Sequence, residues 1–273
     1  MRKPKRLPPE QLAPYIYELP PSPEPPGHPV IPSSRHPVIC KSRHPLDWSA
    51  LFGNDRPVEV EVGFGKGTFL VHAAQARPET NFFGIEIERK YYYYAASRAA
   101  RRNLRNVRVC CADAKVFLRD HVADGSVEVV HVYFPDPWWK RRHWKRRLFT
   151  PDFAATCARI LRAAGPAMRS RGEGAGAALA GPAMRSRGEG AGAKEGGGRL
   201  SIATDVEEYF GVMTGIVGAM PQFRQLPLPS ADAPPEGEDY MTNFERKARL
   251  QGRPVFRAVY ERVEPAGAAE AAP

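Results

Sequence analysis

From Val58 to Arg262 the chain switches repeatedly between two hydrophobic periods, and that switching restricts its fold more than any other feature. VEVEV (58–62), NFFGIEI (81–87), VRVCC (107–111), VEVVHVYF (127–134), RLSIAT (199–204) and PVFRAVYER (254–262) have the alternating or continuous apolar character of strands. TFLVHAAQA (68–76), RKYYYYAASRAARRN (89–103), AKVFLRDHV (114–122), TPDFAATCARILRA (150–163) and VEEYFGVMTGIVGAM (206–220) read as helices. The fourth of these carries Thr150 at the N-cap and Pro151 at the first helical position. Strands separated by helices predict an α/β fold with a mostly parallel sheet and helices on both faces. Such sheets bind ligands beyond the carboxyl ends of their strands, so the segments just after each strand are the candidate site.

The flanks read differently. Residues 1–45 are proline-rich and predict a flexible arm; HPVIPSSR, HPVICKSR and HPLDWSAL begin eight residues apart at His28, His36 and His44, a duplicated linker rather than a metal site. GPAMRSRGEGAGA occurs at Gly165 and again at Gly181, and Gly, Ala, Ser and charges dominate as far as Gly198. Such a stretch cannot bury a core and predicts a disordered insertion, 165–198, within a domain at 46–263; the tail 264–273 reads likewise. With 273 residues and 42% hydrophobic content, one sizeable core plus tails is the expected organisation.

Four cysteines form no C-x-x-C pair and no zinc site is expected, so buried free thiols in a reducing cytoplasm are the default. No run of 18 apolar residues and no N-terminal apolar core of a signal peptide occur, which predicts a protein that neither spans a membrane nor is secreted. The net charge of +10 points to a polyanionic partner.

EVGFGKGTFL follows the first strand and opens a helix. Gly63, Gly65 and Gly67 have G-x-G-x-G spacing, and Lys66 precedes the last glycine, so neither the dinucleotide fingerprint nor the P-loop fits. Close backbone approach without a pyrophosphate suits S-adenosylmethionine. Acids follow four successive strands: Glu61 ends the first, Glu86 the second, Asp113 lies just beyond the third and Asp136 beyond the fourth. Glu86, about 20 residues past the glycines, stands where an acid reads ribose hydroxyls, Asp113 is placed for an adenine amine, and a row of acids suits a cationic sulfonium.

FPDPWWKRRHWKRR (134–147) holds Asp136 between two prolines, which stiffen the backbone on both sides. Trp138 and Trp139 are candidates to stack a base, and six Lys/Arg stand among the eight residues from Lys140 to Arg147. Seven more lie between Arg89 and Arg108. Basic patches with interleaved aromatics are a nucleic-acid signature.

EVGFGKGTFL, GIEI, CADA, FPDPWWKRRHWKRRLFTPDF, IATDVEEY and MTNFERKARLQGRPVFRAVYER together resemble the bacterial tRNA (guanine-N7-)-methyltransferase family over roughly residues 55–262. The F-P-D-P-W-x-K-[RK]-R-H string with a downstream T-x-[FY]-E-R-K is the specific part. The resemblance implies a Rossmann-like class I methyltransferase fold with seven strands, the last antiparallel. It implies S-adenosylmethionine held by Glu61, Glu86, Asp113 and Asp136, no metal, and methyl transfer to N7 of a guanine in the tRNA variable loop. It further implies guanine contacts from Lys140, Asp205 and the segment Thr242, Asn243, Phe244, Glu245. Asp136 is the expected catalytic carboxylate, with Asp205 and Glu245 on the base's N–H edge; no obligatory protein partner is evident. Two departures stand out: the repeat splits LRAAG from GGGRLSIATD, and the N-terminal arm lacks the family's usual basic start. A methyltransferase with another substrate, and a non-catalytic RNA-binding protein on the same fold, are the alternatives.

Overall fold

The computed structural model describes residues 7–19, 45–164, 196–228 and 242–264. Nearly all of the repeat insertion, the histidine–proline repeats up to Arg43 and His44, and the tail from residue 265 lie outside the described residues. The expected alternation is present as β2 (Val58–Val62), α3 (Thr68–Ala76), β3 (Asn81–Glu86), α4 (Arg89–Arg101), β4 (Val107–Cys111), α5 (Ala114–His121), β5 (Val129–Tyr133), α6 (Pro151–Ile160), β6 (Arg199–Thr204), α7 (Glu207–Gly218) and β8 (Phe256–Arg262). Thr150 caps α6, accepting from the Phe153 amide at 3.2 Å.

The sheet has eight strands rather than seven, in the order β1-β4-β3-β2-β5-β6-β8-β7, where β1 is Ile16–Tyr17 and β7 is Phe223–Leu226. All pairings are parallel except those of β8, which runs antiparallel to both β6 and β7. The extra strand comes from the segment expected to be a flexible arm. There, α1 (Pro9–Leu12) and a 3-10 turn (Ala13–Tyr15) lead into β1, which pairs Ile16 with Val109 and Tyr17 with Cys110. Leu12 and Tyr15 are buried against α4. Proline content suggested an arm, but the apolar residues between the prolines have a better use: they close the open edge of β4, whose unpaired backbone would otherwise face water.

Helices cover both faces. Phe69 and Leu70 of α3 and Tyr92, Ala95 and Ala99 of α4 form one apolar cluster. Phe117 of α5, Phe153 of α6 and Met213 of α7 belong to the other, which also receives α2 (Trp48–Phe52). Cys110 and Cys157 are buried free thiols and Cys111 is a half-buried one. Among the described residues no helix is long and apolar enough to cross a membrane, and no cluster of His, Cys, Asp and Glu is arranged to hold a metal.

The chain leaves β2 toward β3 and β4 on one side and returns to β5 and β6 on the other, so the order of strands reverses between β2 and β5. The carboxyl ends of these two strands therefore open the crevice in which doubly wound sheets take their ligands.

Candidate active site

β2 carries two buried acids in different surroundings. Side chains alternate along a strand, so Val58, Val60 and Val62 join the α5–α7 cluster while Glu59 and Glu61 point to the α3 face. Both carboxylates are buried. Glu59 is fully partnered: Arg77 grips it with two nitrogens at 2.5 and 2.9 Å, and His131 Nε2 lies 2.8 Å away. His131 Nδ1 contacts the Tyr133 hydroxyl at 2.8 Å, which continues to Ser201 Oγ at 3.1 Å. Burial raises the Glu59 carboxyl, but His131 and then Arg77 outweigh it and bring it down to about 2.

Glu61 has no such company. It is 3% exposed, and its Oε2 is buried without a hydrogen-bond partner. Burial, relieved in part by the Leu70 amide and reinforced by the charge of Glu86, pushes it up to about 8. A buried polar atom left unpartnered costs roughly 1–3 kcal/mol, more for a charged group, and such costs concentrate where a ligand is to be bound.

The glycine loop folds over this acid. Gly63 donates to Ile85 O at 2.8 Å and Gly65 to Glu86 Oε2 at 2.8 Å, while Glu86 Oε1 accepts from the Glu88 amide at 3.0 Å. Burial raises Glu86 as well, against the pull of these amides. A Cβ on Gly65 would meet nothing within 4 Å, so the space above the loop is open; its φ of 52° is what calls for glycine. Gly67 differs: φ is 62° and a Cβ there would stand 2.7 Å from the Ala95 Cβ, so this glycine lets α3 and α4 touch. Arg98 of α4 ties the loop down, donating to Lys66 O at 2.9 Å and to Thr68 Oγ1 at 3.1 Å. No motif singles out Arg98, because it serves through helix packing.

Asp113 caps α5, its Oδ1 accepting from the Lys115 and Val116 amides at 2.9 and 3.4 Å. Asp136 is exposed, three residues beyond the end of β5, and Asp205 directly follows β6. Five adjacent parallel strands thus bring Asp113, Glu86, Glu61, Asp136 and Asp205, in that order, to one edge of the sheet.

The backbone around Asp136 is strained on both sides: Phe134 has φ 53° and Trp138 φ 45°. Non-glycine residues rarely adopt such angles, and they persist where the surroundings hold them. Here the Phe134 amide is fixed to Ala203 O at 2.7 Å, and Arg147 Nε donates to Pro137 O at 2.8 Å. Arg147 also lies over the rings of Trp144 and Tyr209, at 4.7 and 5.1 Å. It is a latch on the loop, although the charge run marks it as one more cation. Arg146 covers Trp138 at 5.1 Å and Arg141 lies over Trp144 at 5.5 Å. Trp139 is left 63% exposed. Lys140 is exposed just before the 3-10 turn Arg141–Arg146.

The distant TNFERK segment reaches the same edge, because β8 begins opposite the end of β6, Phe256 beside Thr204. Ahead of it α8 (Asn243–Leu250) opens with Thr242 as cap, accepting from the Glu245 amide at 3.0 Å, and Asn243 is its first residue. Phe244, 56% exposed, stacks on Phe134 with ring centres 6.0 Å apart. Glu245 is turned inward: it is 5% exposed, and its Oε1 accepts from Arg249 at 3.0 Å and from Arg257. Asp205 pairs with Arg253.

Comparison with known proteins identifies the family. A family model described as "Putative methyltransferase" matches residues 55–168. The chain is 37% identical over 223 residues to a tRNA (guanine-N(7)-)-methyltransferase of Rhodopirellula baltica, covering 80% of this chain and 70% of that one. Proteins of the same name from Alkalilimnicola ehrlichii and Klebsiella pneumoniae are 34% and 32% identical, covering 81% and 80% of this chain and 79% and 78% of theirs. The chain belongs to the tRNA (guanine-N(7)-)-methyltransferase family.

Within this member of the methyltransferase family, the sites read from sequence separate into two groups. Glu61, Glu86 and the glycine loop form one connected unit. Asp136, Phe244 and Asp205 form a second around the start of β8 and the end of β5, while Glu245 is an internal strut between α8 and β8. Neither the Glu59–His131–Tyr133–Ser201 chain nor the Arg147 latch has a sequence signal; both depend on strands that are neighbours only in the folded sheet.

Proposed function

We propose that this protein transfers the methyl group of S-adenosylmethionine to N7 of a guanine in tRNA, and that the target lies in the variable loop. Family membership supports the reaction. The single structural observation that carries it is the acid row with Glu61 at its centre, the Oε2 of that acid buried without a partner, under a glycine loop with open space above it. These residues fit the donor: Glu61 and Glu86 are acceptors suited to ribose hydroxyls, and the second oxygen of Asp113 remains for the adenine amine. When bound, S-adenosylmethionine supplies an electrophilic methyl on a sulfonium, which the negative rim accommodates.

Guanine N7 is an unprotonated acceptor at neutral pH, so no residue need remove a proton before attack. The chain's task is alignment, worth several kcal/mol when the attacking atom is held in line, together with compensation of the charge that appears on the ring. Asp136, exposed on a backbone held by two prolines, the Ala203 carbonyl and Arg147, is the carboxylate for that compensation. Asp205 offers acceptors for the base's N–H edge, and Lys140 with the cations beyond it offers contacts for phosphates. Trp139 is the aromatic available to stack the extruded base, because Trp138 and Trp144 already carry arginines.

The decisive experiment replaces one atom. A tRNA with 7-deazaguanine only at the variable-loop target keeps its phosphates and Watson–Crick edge, so it still binds and competes with unmodified tRNA. Methyl transfer at that nucleotide is expected to vanish, with labelled N7-methylguanosine recovered from the unmodified tRNA alone. Methylation of the deaza nucleotide at any other atom refutes the proposed nucleophile.

A further inference from the structure

Several arginines of the described residues are paired with carboxylates: Arg77 with Glu59, Arg159 with Asp124, Arg162 with Glu128, and Arg224 with Glu261. The cations of α4 and the turn after it have a different environment. From Arg89 to Ala112 the sequence contains seven Lys/Arg and no Asp or Glu. Arg98, Arg102 and Arg108 donate to backbone carbonyls, and Arg105 to the Asn103 side chain at 2.9 Å. Among the described residues none of these four is paired with a carboxylate. Burial and then the adjacent Arg102 hold the Arg98 guanidinium below its ordinary value, and burial, with a smaller push from Arg105, lowers Arg108 in the same sense.

The placement of these cations is ordered. Arg89 and Lys90 of α4 and Arg102 at its C-cap are exposed, and between them Tyr93 and Tyr94 are 42% and 43% exposed, an unusual position for large rings on a surface helix. The docked N-terminal segment supports the far end: Arg105 lies over the Tyr15 ring at 5.9 Å, and the Tyr15 hydroxyl reaches Asn103 at 3.3 Å. Phe52 of α2 supports Arg108 in the same way at 5.2 Å. The thirteen residues of α4 span about 20 Å. The helix begins three residues after Glu86, at the acid-lined edge, and runs to the opposite edge of the sheet.

We propose that the outer face of α4, with the turn into β4, is a second tRNA-binding surface that grips phosphates remote from the methylated nucleotide. Uncompensated positive charge matches the RNA backbone, and exposed tyrosines on the same face offer planes to riboses and bases. About 20 Å separates its far end from the rim, too far for one nucleotide to bridge, so this face holds a different part of the tRNA from the one entering the site. The inference rests on the tRNA reading above and adds a binding surface to it.

The test is the salt dependence of tRNA binding by the full chain carrying Lys90→Gln, Arg102→Gln and Arg105→Gln, with donor affinity and thermal midpoint checked to show an intact fold. Loss of three phosphate contacts is expected to reduce the slope of log K against log salt by about 2 to 2.7. Between 50 and 200 mM salt the wild type then loses about 20- to 40-fold more affinity than the variant. The single variant Arg102→Glu is expected to weaken binding at low salt in the same direction. If wild type binds and methylates tRNA with a steep slope and the triple variant keeps that slope, the second surface is refuted and the function stands. If wild type neither binds nor methylates tRNA, the functional reading itself fails. Binding of wild type to phosphatidylserine vesicles that the triple variant loses, with its tRNA slope unchanged, assigns the face to lipid and overturns the proposal.

Discussion

Glu61→Gln isolates the acid on which the site depends. In the folded protein burial pushes this carboxyl from 4.5 up to about 8. The unfolded chain ionises it near 4.5, so the folded state carries a neutral acid while the unfolded state is free to ionise. Its contribution to stability is therefore fully present below the unfolded value and is lost as pH rises through about 8. The span from 4.5 to about 8 corresponds to an upper figure of about 5 kcal/mol, roughly 4 of which falls between pH 5 and pH 9. Glutamine has the same shape and does not ionise. Urea unfolding of both proteins without donor, at pH 5, 7 and 9, is expected to show the variant gaining on the wild type by about 4 kcal/mol across that range. The same variant is expected to bind S-adenosylmethionine about 10- to 100-fold more weakly, because a carboxyl that ionises as the donor binds accepts a charge-assisted hydrogen bond, whereas glutamine offers only a neutral acceptor. A stability difference constant to within about 0.5 kcal/mol from pH 5 to 9 would show that Glu61 titrates normally and that its burial has no energetic consequence.

Glu59 gives the opposite sign: lowered to about 2 by His131 and Arg77 against its burial, it stabilises the fold above 4.5 and that contribution is lost as pH falls toward 2, so His131→Ala is expected to narrow the acid side of the stability profile in urea titrations. Asp136→Asn is expected to lower kcat by about a hundredfold or more, measured by single-turnover methylation, with a much smaller change in tRNA affinity; turnover within a few-fold of wild type removes it from the mechanism. Tyr15→Ala is expected to cost about 3 kcal/mol in urea unfolding, since the ring is 4% exposed and secures β1; a change under about 0.5 kcal/mol would return that segment to a free arm. Deleting residues 166–195 leaves a short link between two segments that are already tied together, with Gly198 donating to Arg162 O at 2.7 Å, so soluble yield and methylation rate are expected to stay within about twofold.

The sequence determined the elements and the membership of the rim. Periodicity located β2, β4 and β6 to the residue, because an alternating or continuous apolar run marks a strand wherever it stands in the sheet. Acids placed after successive strands had to meet at one edge once the strands were parallel, so Glu61, Glu86 and Asp136 were legible without coordinates. The tertiary structure decided what each acid does. In VEVEV the two glutamates are equivalent as text, yet Glu59 meets Arg77 and His131 while Glu61 meets no partner at Oε2, because the neighbours come from α3 and β5 and not from the chain nearby. In the same way Glu245, read as a base contact, is held inside by Arg249 and Arg257, and Arg147, read as one cation of a basic patch, latches the loop through Pro137. β1 was hidden for a further reason: two residues of strand have no period of their own, and only the exposed edge of β4 makes them one. Local pattern sets which elements form, whereas charge and burial are properties of the neighbours that packing supplies.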